Sequence, residues 1–237
     1  MGRARDLMET RRLSTVFMSE DRTFLILFVL LYAVFATIRV YYRSRPTVRE
    51  RPEQERPEEE EKVGGVALVA IGVSVLGYGT SIALYMVSPS WMRWSKLALP
   101  AWVRWAGVLV GIVCLPFLIW IHRTMGMFYL DRLELKDDHE LITSGPFSRI
   151  RNPMYLVFCV FAFSMGLVTS YTLNLLFSIA IVASLNWIVV HEEKMMLERF
   201  GDKYRAYMGR TGRFLPRLRQ DKGSGPRSRE RPAERVR

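Results

Sequence analysis

Long runs without charged side chains alternate with densely charged blocks along this chain. Residues 24–38 form a first apolar run of 15 residues, residues 64–92 contain no charge, and a third run extends from about residue 102 to residue 121. The fourth run, residues 152–190, has 39 positions without Asp, Glu, Lys or Arg. Since one helix needs about 20 apolar residues to cross a bilayer, the pattern predicts an all-α, polytopic membrane protein embedded in the lipid bilayer.

The fourth run is too long for a single crossing of roughly 30 Å of hydrocarbon. Its polar cluster Thr169-Ser170-Tyr171-Thr172 predicts a break, and therefore a C-terminal hairpin of two helices. Pro116 should kink the third helix, because a proline removes a backbone donor. The segments together predict about five transmembrane helices.

The ends of the first two spans carry residues typical of a membrane interface. Ser88-Pro89-Ser90 ends the second span, and Trp91 and Trp94 are expected to anchor it at the interface. The first run is short for a full crossing, but Arg39 can snorkel toward the headgroups. A cleaved signal peptide is the alternative interpretation of this first segment.

Charge divides the chain into five expected segments. They are a basic N-terminal segment (1–22), a first membrane helix (23–42), a charged loop (43–63), a membrane domain (64–216) and a basic tail (217–237). The loop and the tail have the low-hydrophobicity composition of disordered segments. The tail is also expected to attract anionic lipid headgroups.

The composition narrows the possible partners. The net charge is +11, but the cations lie at the ends of apolar runs and in the tail, and no nucleic-acid-binding motif is present. Cys114 and Cys159 lie inside apolar runs, which favours packed thiols over a disulfide. The histidines at 122, 139 and 191 are widely separated, so no metal site is expected.

The distribution of Lys and Arg predicts the orientation in the membrane. If the C-terminus is cytoplasmic, the inside segments carry 6 (residues 41–63), 5 (122–153) and 14 (191–237) basic residues. The outside segments then carry 5 (1–22), 3 (93–104) and none (170–172). The excess of Lys and Arg in the inside segments favours a cytoplasmic C-terminus, although the five basic residues of the N-terminal segment do not fit this orientation.

Two polar regions bracket the expected hairpin, at residues 138–155 and 191–216. Both ends of a hairpin return to one membrane face, so the two regions should meet. In the first, Ser144-Gly145-Pro146 is an expected turn, and Asn152 can cap a helix that starts at Pro153. Such a helix start favours an anion, and Arg149 and Arg151 add donors, although arginines that flank a membrane helix are also ordinary positive-inside anchors.

In the second region, Glu192 and Glu193 are expected at the end of the fifth helix, where the helix dipole disfavours negative charge. They either attract a cation or accept a proton, or they are solvated acids paired with Lys194 or Arg151. An apolar stripe follows and predicts a short helix that lies on the membrane or over the site, or that simply packs. The stripe consists of Leu197, Phe200, Tyr204 and Tyr207.

A ligand with both a carboxylate and a permanent cation would match a site of this kind. S-adenosylmethionine combines an amino-acid carboxylate, a sulfonium and a flat adenine. The residue spacing alone does not establish that ligand.

The two polar regions resemble the sequences of a known protein superfamily. The sequences HELITSGPFSRIRNPMYL and EEKMMLERFGDKYRAYMGRTGRFLP resemble the isoprenylcysteine carboxyl methyltransferase and phospholipid methyltransferase superfamily. The resemblance covers roughly residues 100–216. It implies a polytopic, helical, S-adenosylmethionine-dependent methyltransferase, with a cofactor pocket at the cytoplasmic face and an acceptor that enters from the bilayer. Asn152 departs from the pattern, since many members have His there.

The resemblance also implies the site residues. Phe200, Tyr204, Tyr207 and Arg213 match the covering helix and its exit. Glu192, Glu193 and Arg151 are the implied catalytic residues. The implied cofactor-binding residues are His139, Leu141, Gly145, Pro146, Arg151, Asn152, Pro153, Tyr155, Glu192 and Glu193.

The implied reaction moves a methyl group from sulfur to a lipophilic acceptor. A prenylcysteine-like carboxylate, a phospholipid amine and another lipophilic small molecule all stay open as acceptors. An NADPH-dependent membrane reductase of the sterol type, which resembles the same C-terminal region, is the alternative enzyme. A non-enzymatic membrane scaffold is the third interpretation.

Overall fold

The computed structural model describes the backbone of residues 2–44, 65–130 and 141–217, with side chains from residues 20–44, 69–126 and 141–217. Six α-helices occur in these ranges. They are α1 (Gly2–Arg43), α2 (Gly65–Val87), α3 (Ala101–Leu130), α4 (Pro153–Thr169), α5 (Thr172–Phe200) and α6 (Asp202–Arg210). Two short 3-10 helices, Pro89–Ser95 and Gly145–Ser148, precede α3 and α4.

Four of the helices are long and apolar enough to cross a membrane. The spanning segments are Glu20–Arg43, Val69–Val87, Ala101–Gly126 and Thr172–Phe200, and the apolar helix α4 has 17 residues. No strand occurs in the part of the chain that the structure describes. The expected all-α, polytopic membrane architecture is therefore confirmed.

The expected break in the fourth apolar run lies where the polar cluster predicted it. Helix α4 ends at Thr169, and α5 begins at Thr172. Between them Ser170 has a φ of 60°, so the chain reverses through a left-handed residue. The Ser170 hydroxyl donates to the carbonyl of Leu97 at 2.7 Å, which ties the hairpin turn to the segment before α3.

Helix α4 is the centre of the bundle and packs against α1, α3 and α5. Close approach of α3 to α4 depends on Gly107, because a Cβ there would lie 2.7 Å from the carbonyl oxygen of Ser164. Small residues at such positions let membrane helices pack backbone to backbone. The buried side chains around α4 include Phe28 from α1, Leu118 from α3 and Met165 of α4 itself.

An arginine is buried at the hairpin end of the bundle. Arg104 is 6% exposed. Its Nε donates to the carbonyl of Val168 at 3.0 Å, and its Nη1 donates to Asp21 of α1 at 2.9 Å. Its guanidinium also lies 3.9 Å from the centroid of the Phe24 ring, and Lys96 pairs with the same Asp21. Arg104 thus joins α1, α3 and α4 at this face.

Three expected boundaries are wrong. The third helix is longer than residues 102–121, since α3 continues to Leu130 with Pro116 inside it. Glu192 and Glu193 do not end the fifth helix, because good helix formers carry α5 on to Phe200. The expected apolar stripe is divided between two helices, because the chain breaks at Gly201 between Phe200 and Tyr204.

Candidate active site

The two polar regions that bracket the hairpin meet in space, as predicted. Ile150 pairs in parallel with Gly212. The amide of Arg151 donates to the carbonyl of Gly212 at 2.8 Å, and the amide of Asn152 donates to the carbonyl of Arg213 at 3.1 Å. This short backbone ladder fixes the chain after α6 beside the start of α4.

The Glu193 carboxylate lies at the centre of this junction and is 3% exposed. Its Oε1 accepts hydrogen bonds from Arg151 Nε and Asn152 Nδ2, both at 2.9 Å. Its Oε2 accepts a hydrogen bond from Arg213 Nε at 2.9 Å and lies 2.8 Å from Arg213 Nη2 in the same ion pair. A buried carboxylate is tolerated only when it is paired and hydrogen-bonded, and these contacts meet that condition. Glu193 therefore joins α5, the start of α4 and the segment after α6.

The Arg151 side chain also binds the end of α6. Its Nη1 donates to the carbonyl of Thr211 at 2.6 Å and to that of Met208 at 3.3 Å. Carbonyls at a helix C-terminus lack partners within the helix and favour a cation. The anion that Arg151 faces in the structure is Glu193, so this guanidinium is enclosed by groups of the protein itself.

Asn152 does not cap α4 with its side chain, which corrects the expected cap. It occupies the N-cap position, but its side chain makes no capping hydrogen bond. Its amide nitrogen donates to Glu193 instead. The buried carboxylate needs this donor, and the amino end of α4 is left without a side-chain cap. Pro153 is the first residue of α4, as expected.

Glu192 has a different environment from its neighbour. It is half-buried, and its Oε1 accepts a hydrogen bond from the Tyr155 hydroxyl at 2.5 Å. No ion pair of Glu192 occurs among the described residues. Of the two adjacent glutamates, Glu192 is the one whose carboxylate has capacity left for a ligand.

Helix α6 covers the junction with two buried tyrosines. The Tyr207 hydroxyl donates to the carbonyl of Phe147 at 2.7 Å, which links α6 to the turn before α4. Burial, together with the nearby Glu193 carboxylate, raises the pKa of Tyr204 to about 12. Burial next to Tyr204 raises the pKa of Tyr207 to about 12 as well. Both phenols therefore stay neutral at physiological pH.

The remaining residues that the sequence singled out lie before α4. Gly145 begins the 3-10 helix with a φ of 56°, and Pro146 is buried after it. Leu141 is half-buried. His139 lies outside the described residues, as do most of the charged loop and almost all of the basic tail.

Arg39, Tyr42 and His122 form a second cluster of polar residues beside the candidate site. The sequence analysis did not identify this cluster as part of a site. Arg39 of α1 is half-buried, with its guanidinium 4.7 Å from the centroid of the Phe158 ring. Tyr42 of α1 stacks on His122 of α3, with ring centroids 4.9 Å apart and planes inclined by 9°. In the sequence, Arg39 is only a cation at the end of an apolar run. Snorkelling toward the headgroups explains such a cation as well as a role in a site does.

Comparisons with known proteins bear on the region that contains this site. No curated protein matches the chain in sequence. The family model for phospholipid methyltransferases matches residues 102–203, which include α4, α5 and the Glu192–Glu193 pair. The match falls within the region that carried the resemblance. Residues 102–203 are therefore similar to the phospholipid methyltransferase family, and this similarity supports a membrane methyltransferase in general.

Proposed function

We propose that the chain transfers a methyl group from S-adenosylmethionine to a lipophilic acceptor at the cytoplasmic membrane face. The observation that supports this most directly is the contrast between two adjacent carboxylates of α5, which lie beside the start of α4. Among the described residues, Glu193 accepts three hydrogen bonds and has a further ion-pair contact with Arg213, whereas Glu192 accepts one hydrogen bond, from Tyr155. Glu192 is the carboxylate with capacity to act on a substrate.

The residues at this junction fit the proposed methyl donor. The first amides of a helix have no partner within the helix, and Asn152 leaves those of α4 without a side-chain cap. They are suited to the carboxylate of an amino acid. Glu192 offers a counter-charge to a cationic group. S-adenosylmethionine, when bound, supplies a methyl group on a sulfonium that a nucleophile can take up directly.

In this proposal the buried ion pairs of Glu193 with Arg151 and Arg213 form a rigid frame for the site. Arg151, Asn152 and Arg213 fix Glu193, and with it the distance between α4, α5 and the segment after α6. By motif position, Leu141, Gly145 and Pro146 belong to the proposed cofactor site, and Tyr204 and Tyr207 of α6 belong to the helix that covers it. His139 belongs to the proposed cofactor site by its motif position. Most of the rate enhancement of such a transfer comes from alignment and exclusion of water, which requires a rigid frame.

Glu192 has a role that depends on the acceptor. An amine acceptor must lose a proton as it is methylated, and Glu192 would take that proton while Tyr155 orients the carboxylate. A carboxylate acceptor loses no proton, and Glu192 would then serve only as a counter-charge. The loop counts of Lys and Arg support a cytoplasmic site, and the basic tail is suited to anionic headgroups.

The test is methyl transfer by the purified protein in lipid nanodiscs. The protein is incubated with methyl-labelled S-adenosylmethionine and total membrane lipid, and the labelled product is identified by mass spectrometry. We expect label in a lipid product, and binding of S-adenosylmethionine but not of NADPH in parallel titrations. NADPH binding without label in any lipid or small molecule would overturn the proposal in favour of a reductase.

The role of Glu192 is tested with a matched pair of variants. Glu192→Gln keeps the shape of the side chain and removes its charge, and we expect turnover of an amine acceptor to fall about 100-fold or more, the usual contribution of a general base. Glu198→Gln makes the same change at an exposed position, where the ion pair found within the described ranges is with Lys194 at 3.9 Å. It should retain turnover. Equal activity of the two variants would remove Glu192 from the mechanism.

A further inference from the structure

Arg39 is a membrane-embedded cation that turns into the bundle. It lies within the spanning segment Glu20–Arg43, and α1 is outside the family match at residues 102–203. Its Nη1 donates to the Met154 sulfur at 3.4 Å, and its guanidinium packs on Phe158. Both partners belong to the first two turns of α4. A snorkelling arginine would extend away from the bundle toward the headgroups, so these contacts are evidence for another role.

The charge of Arg39 has no carboxylate partner within ion-pair distance in the described ranges. A thioether is a weak acceptor, and a ring face supplies only part of what a desolvated guanidinium loses. Ionisable groups inside a membrane segment are costly, and they mark binding sites or ion pathways. Arg39 is therefore the cation in this region whose donors are available to a ligand.

A second unsatisfied polar atom lies nearby. The Nε2 of His122 is buried and has no hydrogen-bond partner among the residues that the structure describes, while its ring stacks on Tyr42 of α1. Arg39 is close enough to act electrostatically on both His122 and Tyr155, and the Tyr155 hydroxyl donates to Glu192. Helices α1 and α3 thus contribute a guanidinium that has only weak protein acceptors and an imidazole nitrogen that has no hydrogen-bond partner among the described residues.

We propose that Arg39 binds the phosphate of a phospholipid acceptor, and that His122 contributes a second polar contact to it. This inference rests on the proposed function, since it names the headgroup chemistry at the same site. A guanidinium offers directional donors that match phosphate oxygens. A phosphate at Arg39 would lie beside Met154, and the next residue of α4, Tyr155, donates its hydroxyl to Glu192. Helix α1 then selects the acceptor, although it lies outside the family match.

The test measures binding rather than turnover, so its result does not depend on methyl transfer. The full chain in neutral detergent is titrated with dihexanoyl phosphatidic acid, with uncharged dihexanoylglycerol and with a carboxylate amphiphile such as an N-acetyl prenylcysteine. Binding is followed by calorimetry. We expect Arg39→Gln to weaken binding of the phosphate lipid about 10-fold or more and to leave dihexanoylglycerol unaffected. Unchanged binding of dihexanoylglycerol shows that the variant is folded.

The matched control is Arg43→Gln, one turn further along α1 at an exposed position. It removes the same charge and should change phosphate-lipid binding little. Equal losses in both variants, or none in either, would overturn the proposal, as would Arg39-dependent binding of the carboxylate amphiphile alone. If Arg39-dependent binding is seen but no methyl transfer is found, the proposed function fails while this lipid site stands.

Discussion

Two adjacent glutamates with the same sequence context have opposite environments. Successive residues on a helix point about 100° apart, so Glu193 faces Arg151 and Arg213 while Glu192 faces Tyr155. The first accepts hydrogen bonds from three side chains and stabilises the junction. The Glu192 carboxylate can still accept hydrogen bonds from a ligand. A sequence motif of two glutamates therefore contains one residue with a structural role and one that we propose to be catalytic.

Gly212 is a single residue on which the frame depends. A Cβ at this position would lie 1.7 Å from the carbonyl oxygen of Leu215, so the backbone beyond α6 would have to move. Its carbonyl accepts the amide of Arg151, and its amide donates to the carbonyl of Arg149. We expect Gly212→Ala to destabilise the protein by about 1–3 kcal/mol, the usual range for overpacking, and to weaken binding of S-adenosylmethionine. Thermal melting in detergent measures the first effect.

Gly209 supplies the matched control for that substitution. It lies in α6, three residues away, and a Cβ there would meet nothing within 4 Å. Alanine is a better helix former than glycine, so Gly209→Ala should leave stability unchanged or raise it by about 0.5–1 kcal/mol. A destabilisation by Gly209→Ala as large as that by Gly212→Ala would contradict the steric explanation.

At the scale of helices, α1 is fastened at both membrane faces. Phe24, Phe28 and Leu31 are buried against the bundle. One end is held by the ion pair between Asp21 and Arg104, and the other by the contacts of Arg39 with Met154 and by the stacking of Tyr42. These contacts make α1 an integral part of the fold in this structure.

Arg104 is expected to stabilise the helix packing more than any exposed cation on the same face. Arg104→Met removes a donor to the Val168 carbonyl, the ion pair with Asp21 and the contact with the Phe24 ring. Removing one member of a buried charged network is strongly destabilising, whereas exposed charges contribute little. We expect a clear fall in the melting temperature in detergent, and a negligible change for Arg22→Met at an exposed position nearby. Equal shifts would show that Arg104 acts only as a surface charge.

At the scale of the whole molecule, the pattern of apolar runs predicted the helices, the hairpin and the meeting of its flanking regions. Each of these predictions depends on the length of the apolar runs and on the polar cluster at residues 169–172, and both can be read directly from short stretches of sequence. The pairing of Glu193 with Arg151 was one of the alternatives that the sequence left open, but the contacts of Glu193 with Asn152 and Arg213, the interior position of Arg104 and the inward turn of Arg39 were not predictable. These features depend on which face of each helix packs against its neighbours. The sequence analysis also ended α5 too early, because good helix formers extend this helix beyond Glu193 to Phe200.

The orientation of the bundle is the prediction that concerns the whole chain, because it decides which cellular compartment supplies the methyl donor. The site and the hairpin turn lie at opposite ends of α4 and α5. The Lys and Arg counts predict that the end with Glu192 faces the cytoplasm, mainly because of the 14 basic residues at 191–237. The polar surface of α6 should then be cytoplasmic, and the 3-10 helix Pro89–Ser95 should face the other side.

Single-cysteine labelling tests this orientation. Cys114 and Cys159 are replaced by alanine, and one cysteine is introduced at Ala206 of α6 or at Ser90, both of which are exposed. A membrane-impermeant maleimide added to intact cells should label Ser90→Cys at once, and Ala206→Cys only after the membrane is permeabilised. The reverse pattern would place the site outside the cytoplasm. Since S-adenosylmethionine is made inside cells, that result would count against it as the donor even if residues 102–203 transfer methyl groups.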